Sequence, residues 1–106
     1  MVVKRFEVYF VNLDPTIGSE IRKTRPCLVV SPDELNNSLN TVIVAPLTST
    51  IRKYPTRINC IIASQKGQIA LDQLRTIDKQ RLSRKVEILD PKTQKLVLEV
   101  IAEMFS

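Results

Sequence analysis

The sequence predicts a mainly β fold of the α+β class, in which five or six mostly antiparallel strands form a sheet or small barrel with one long C-terminal helix. Three observations carry this expectation. Residues 5–13 alternate apolar and polar side chains, residues 41–48 are rich in β-branched ones, and only the segment after Asp90 keeps a helical apolar period free of Gly and Pro. A chain of 106 residues has room for one core, so residues 1–106 read as a single domain.

The elements follow in order. Arg5 to Leu13 is the first strand, with Phe6, Val8 and Phe10 on one face and Glu7 and Tyr9 on the other; Asp14-Pro15 ends it. A polar loop over residues 16–24, containing Gly18, leads to Arg25-Pro26 and a short buried strand from Cys27 to Val30. Ser31-Pro32-Asp33-Glu34-Leu35 reads as a capped helical turn. Thr41 to Thr48 is the third strand, with Pro46 marking either its end or a bulge. Ser49 to Thr56, with Arg52, Lys53 and Pro55, is a basic loop, and Arg57 to Ala63 is the fourth strand. Lys66-Gly67 is expected to turn the chain into a fifth strand over Gln68 to Ile77, where Leu74 falls on the wrong face. A bulge or an early change of role near Asp72 is therefore expected. A polar connection over Asp78 to Arg84 with a helical turn, and a short strand over Lys85 to Leu89, complete the sheet.

Asp90 caps the final helix and Pro91 suits its first position. Its apolar residues, from Leu96 to Phe105, cover an arc of roughly 240°, well beyond the ~100° that packing against one core requires. The surplus face predicts a homodimer.

Composition excludes more chemistry than it suggests. The chain has no His, so imidazole cannot serve as base, acid or metal ligand. Cys27 and Cys60 lack the spacing of a zinc site, so no metal is expected; each sits in an apolar run and reads as a small buried hydrophobe. No membrane segment is expected, because the longest uncharged stretch, Leu35 to Ile51, is broken by three Asn, two Ser, three Thr and a Pro. Charges among the first seven residues argue against a signal peptide, so a cytoplasmic location is expected. The net charge of +5 is unevenly placed: −1 over residues 1–21, +8 over 22–85 and −2 over 86–106. A basic middle fits a polyanionic partner.

Four blocks narrow that partner. Val8 to Glu20, Thr24 to Ser31, Val44 to Ser49 and Leu71 to Asp78 resemble, in order and spacing, those of the MazF/PemK family of toxins. The resemblance implies a homodimeric, cytoplasmic endoribonuclease with an SH3-like or CcdB-like β-barrel, cutting single-stranded RNA at a short sequence and paired with an antitoxin whose acidic, disordered tail lies over the same groove. The implied reaction needs no cofactor. The RNA 2′-OH attacks the adjacent phosphorus, leaving a 2′,3′-cyclic phosphate and a 5′-OH.

By the same resemblance, catalysis falls to Arg25 of the "RP" pair and Thr48 of "TS". An Arg fork fits a phosphate, and a hydroxyl can donate to a phosphoryl oxygen, whereas a guanidinium is a poor base, which leaves the general base unassigned. Ser19, Glu20, Asp72 and Gln73 are implied to line the groove and read base edges, with Arg52 and Lys53 meeting backbone phosphates. The plainer reading has Arg25 paired to Glu20 or Asp72 and Thr48 merely ending a strand. Two departures stand out: Arg5-Phe6-Glu7 lacks the turn Gly that many relatives have, and Ser19 and Ala70 occupy positions where some relatives carry His and Arg. A non-cleaving, CcdB-like poison of DNA gyrase and a degenerate antitoxin-binding member are the alternatives.

Overall fold

The computed structural model describes residues 1–106, and its strands are all paired antiparallel. They are β1 (Glu7–Asn12), β2 (Thr24–Val29), β3 (Thr41–Thr48), β4 (Arg57–Ile62), β5 (Gln65–Ala70), β6 (Arg75–Asp78) and β7 (Leu82–Ile88). Helix α1 (Asp33–Ser38) precedes β3, α2 (Pro91–Met104) ends the chain, and short 3-10 turns cover Leu71–Gln73 and Lys79–Arg81. The strands run β4-β5-β3-β2-β1-β7, with β6 also on β3.

β3 organises the sheet by changing partner along one edge. Its first half pairs with β6, from Thr41↔Asp78 to Val44↔Arg75, and its last two residues pair with β5, Leu47↔Ile69 and Thr48↔Gln68. Pro46 lies between the two pairings, opposite Cys27 of β2, so it marks a change of partner inside a continuous strand. The expected fifth strand is likewise two strands: the 3-10 turn at Leu71–Gln73 redirects the chain near Asp72, where Leu74 breaks the alternation.

Each face of the central strands carries a core. Phe6, Val8, Leu28, Ala45, Leu47, Ile69 and Leu71 pack on one side with Val97 of α2; Tyr9, Val11, Leu13, Cys27, Val29, Val44 and Ile77 pack on the other. The expected polar face of β1 is therefore corrected, since Glu7 and Tyr9 are both buried. Glu7 is tolerated there because its lone pairs are used. The Lys4 amide donates to Oε1 at 2.7 Å, the Tyr9 hydroxyl to Oε1 at 3.1 Å, and the Lys85 ammonium to Oε2 at 3.0 Å. Phe6 stands just outside β1 with φ +71°, the left-handed conformation that a Gly would adopt freely. Its buried ring, with the Arg5 guanidinium 5.4 Å from its centroid, offsets that strain.

The turn expected at Lys66-Gly67 lies earlier. Ala63 and Ser64, at φ +51° and +63°, form a two-residue hairpin loop, and Ile62 faces Gln65 across it. Gly67 is inside β5 for a different reason: a Cβ there would lie 2.8 Å from the Thr48 carbonyl oxygen. The helical turn after Ser31 is uncapped by any side chain; the Ser31 hydroxyl instead donates to Asn36. At α2, Asp90 accepts from the Thr93 amide at 3.0 Å and Pro91 opens the helix. Val97 is fully buried, Val100, Ile101 and Met104 are partly so, and Leu96, Leu98 and Phe105 remain exposed. No helix is long and apolar enough to cross a membrane.

Candidate active site

Three segments meet at the end of the sheet where β3 passes from β6 to β5. The 16–23 loop after β1, the 49–56 loop after β3 and the 3-10 turn after β5 enclose a cleft of about 510 Å³. Ser19, Glu20, Arg25, Thr48, Arg52, Asp72 and Gln73 all line it, together with Arg22, Tyr54 and Arg57. Residues up to 54 positions apart in sequence are thus neighbours. Lys53 is exposed on the same loop as Arg52 but does not line this cleft.

Arg25 has no carboxylate partner. Its Nε donates to the Arg22 carbonyl at 2.7 Å, which orients the guanidinium and leaves both terminal nitrogens for another acceptor. Glu20 accepts from the Ile17 amide at 2.6 Å, and Asp72 is claimed by Arg57, so neither pairs with Arg25 as the plainer reading required. Thr48 is buried at the end of β3, and its Oγ1 accepts from the Thr50 amide at 3.1 Å, leaving the hydroxyl hydrogen to donate. Arg25 and Thr48 also line a second, more apolar cleft of about 360 Å³ with Phe10, Pro26, Ile62 and Val86, and so stand on the ridge between the two.

The Arg57–Asp72 pair is bidentate, Nε to Oδ1 at 2.7 Å and Nη2 to Oδ2 at 3.1 Å, with the Thr56 hydroxyl donating to Oδ1 at 3.0 Å. The guanidinium so held keeps the Asp72 carboxyl below the usual carboxylate range despite partial burial, and Asp72 in turn raises Arg57. The Arg57 guanidinium also lies 5.2 Å from the Tyr54 ring centroid. The cleft's remaining cations, Arg22, Arg25 and Arg52, form no ion pair, so the surface is electropositive.

Both ends of the Gln73 amide are occupied by the opposite loop. Oε1 accepts from the Ile21 amide at 2.7 Å and Nε2 donates to the Ser19 carbonyl at 3.1 Å. Gln68 does the same for the other wall, accepting from the Arg52 amide at 3.0 Å and donating to the Arg52 carbonyl at 3.1 Å. Sequence reading passed over Gln68, Arg22, Tyr54 and Arg57. The one available signal was Gln68 itself, a polar residue leading into the apolar run Ile69-Ala70-Leu71. Nowhere do three Cys, Asp or Glu side chains converge in a metal-binding arrangement.

Comparison with known proteins fits this geometry. Residues 4–105 match the family described as the PemK-like, MazF-like toxin of type II toxin-antitoxin systems. The chain is 43% identical to Endoribonuclease EndoA of Bacillus subtilis, covering 95% of this chain and 92% of that one. It is 36% identical to Endoribonuclease MazF of Staphylococcus saprophyticus, covering 94% and 88%. Among solved structures, MazF from Deinococcus radiodurans superposes with a TM-score of 0.86 at 21% identity, over 99% of this chain and 97% of that one. A mycobacterial endoribonuclease in complex with its cognate antitoxin gives 0.81 at 24% identity, over 95% and 92%. The curled antiparallel sheet with its C-terminal helix is the fold of these proteins, and a match running from residue 4 to residue 105 makes this chain a member of the PemK/MazF family of type II toxins.

Proposed function

We propose that this chain is a cytoplasmic endoribonuclease that cuts single-stranded RNA at a short sequence, without a metal, by attack of the ribose 2′-OH on the adjacent phosphorus. The observation that carries the reading is the presence, in one electropositive cleft, of an Arg25 guanidinium unpaired with any carboxylate and the Thr48 hydroxyl. The terminal nitrogens of Arg25 bind the phosphoryl oxygens and oppose the charge that grows on them in the pentavalent transition state, while the Thr48 hydroxyl donates to one of those oxygens. The bond from phosphorus to the 2′ oxygen forms and the bond to the 5′ oxygen breaks. The proton lost by the nucleophile is matched by one gained by the leaving group, so the products are a 2′,3′-cyclic phosphate and a 5′-OH.

The remaining cleft residues bind the strand. Arg52, with Lys53 beside it, meets backbone phosphates, while Ser19 and Glu20 face the bases from the opposite loop. Asp72 and Gln73 read base edges only by exchanging the bonds they make to Arg57 and to the 16–23 loop; with those bonds in place they shape the groove. An acidic, disordered antitoxin tail suits the same cations and folds as it binds. The functional unit is a homodimer whose interface takes in apolar residues that α2 leaves exposed, Leu96 on one flank of its core-facing stripe and Leu98 on the other.

Incubation with a long transcript, with its all-deoxy counterpart and with EDTA tests the reading. Cutting of RNA alone, unaffected by EDTA, and products whose 5′ ends accept phosphate from a kinase without prior dephosphorylation are expected. Intact RNA together with arrested gyrase supercoiling points to a CcdB-like poison instead, and intact RNA with antitoxin binding to a degenerate member. Sedimentation at micromolar concentration gives a dimer; a monomer removes the role assigned to the exposed apolar residues of α2.

A further inference from the structure

Gln68 is buried, with 4% of its surface exposed, between Gly67 and Ile69 in β5 and with Thr48 and Asn59 as its partners on the two adjacent strands. A residue that only filled this space would be apolar, since a buried amide is tolerated only when all its bonds are made. Those bonds have a direction. Oε1 and Nε2 engage the N–H and C=O of a single residue, Arg52, in the manner of a neighbouring strand, and Nε2 also donates to Asn59 Oδ1 at 2.9 Å. The backbone of Gln68 is meanwhile the sheet partner of Thr48. One residue thereby couples the strand that carries the Thr48 hydroxyl to the loop that carries Arg52, both of which line the cleft. No other hydrogen bond from the body of the protein reaches the backbone of Ile51, Arg52 or Lys53.

We infer that Gln68 is a positioning residue for RNA binding: its side chain fixes the backbone of Arg52 so that the guanidinium meets a phosphate at a set distance from Thr48. The inference rests on the phosphate role proposed for Arg52. Without the clamp, the 49–56 loop keeps its charge but loses its register, and the Arg52 guanidinium no longer reaches the phosphate in the complex.

The test measures the affinity of a fluorescein-labelled 2′-O-methyl oligoribonucleotide, spanning a mapped cleavage site, between 50 and 200 mM salt. Arg52→Ala should make the slope of log affinity against log salt shallower by about 0.7, the loss of one phosphate contact. Gln68→Met, of similar length but without the amide, should give the same loss, and the double variant should match Arg52→Ala within about two-fold rather than add to it. Asn59→Ala, which removes the third bond and spares the clamp, should lower thermal stability and leave the slope unchanged. Hydrogen exchange on the unaltered protein provides a reading independent of any variant: the Arg52 amide should exchange at least ~10-fold more slowly than those of Ile51 and Lys53. A normal slope in Gln68→Met beside a reduced one in Arg52→Ala overturns the inference alone. An unchanged slope in Arg52→Ala overturns the phosphate assignment beneath it, and a fast Arg52 amide overturns the clamp itself.

Discussion

Replacing Gly67 with Ala tests whether the placement of Thr48 depends on how closely β5 approaches it. The added Cβ would sit 2.8 Å from the Thr48 carbonyl oxygen and 3.5 Å from its carbon, against the 3.4 Å at which ordinary contact begins. Backbone must therefore separate by about 0.6 Å, because neither partner is the free end of a flexible side chain. Two effects on stability oppose each other: overpacking costs ~1–3 kcal/mol, while losing a Gly from the unfolded chain returns ~0.4–1 kcal/mol. The balance is a loss of about 1–2 kcal/mol, or a Tm lower by roughly 5–12 °C for a domain of this size. The effect on turnover is larger in proportion. A misplacement of ~1 Å costs about 10²-fold, so a shift of about half that should lower kcat about 10-fold with KM nearly unchanged. The assay is single-turnover cleavage of an oligoribonucleotide with one mapped site, beside a thermal melt. A lowered Tm with normal kcat would refute the claim that this contact sets the Thr48 hydroxyl, and a normal Tm would refute the steric argument as well.

Three further outcomes are expected. Arg25→Ala should reduce turnover by ~10² or more with the fold intact by circular dichroism, because a preorganised donor to the transition state is lost; equal activity removes Arg25 from the mechanism. Burial pushes the Glu7 carboxyl up, but donation from the Lys4 amide, the Lys85 ammonium and the Tyr9 hydroxyl outweighs it and the net shift is downward. A carboxyl lowered on folding stabilises fully above its unfolded value, about 4.3, and that stability is lost as pH falls through the folded value. Glu7→Gln should therefore melt lower than the parent at pH 7, with the gap closing toward pH 3; a gap that widens in acid contradicts the sign. Burial raises the thiols of Cys27 to about 12 and Cys60 to about 11, the latter helped by Asp90 and Glu87. Cys27, fully buried, should not react with a disulfide reagent at pH 8 within minutes but should do so in denaturant, and the partly buried Cys60 should react more slowly than it does in denaturant; fast labelling of Cys27 in the native protein contradicts its burial.

How much could be read from the letters varies with the range of the interaction. α2 was legible because its cap, first-turn Pro and apolar period lie within fifteen residues, and β3 because its β-branched run is uninterrupted. The hairpin at Ala63-Ser64 was not, since neither residue favours the left-handed conformation and Gly67 offered a stronger local cue. Strain at Phe6 was equally hidden: a buried ring outweighs it, and burial is a property of the assembled sheet.

The order of residue types along the chain determined the class of fold, the basic character of its middle, the absence of imidazole chemistry and the motif positions Arg25 and Thr48. Tertiary structure alone decided which charges are already spent. Asp72 could have gone to Arg25 or to Arg57, and only the adjacent pairing of β4 and β5, which sets Arg57 opposite Ala70, gives it to Arg57 and leaves Arg25 open to an anion. The physical reason is that a strand's register and a loop's anchoring depend on partners dozens of residues away. A guanidinium's availability is set by the geometry of those partners, which no local stretch of sequence encodes.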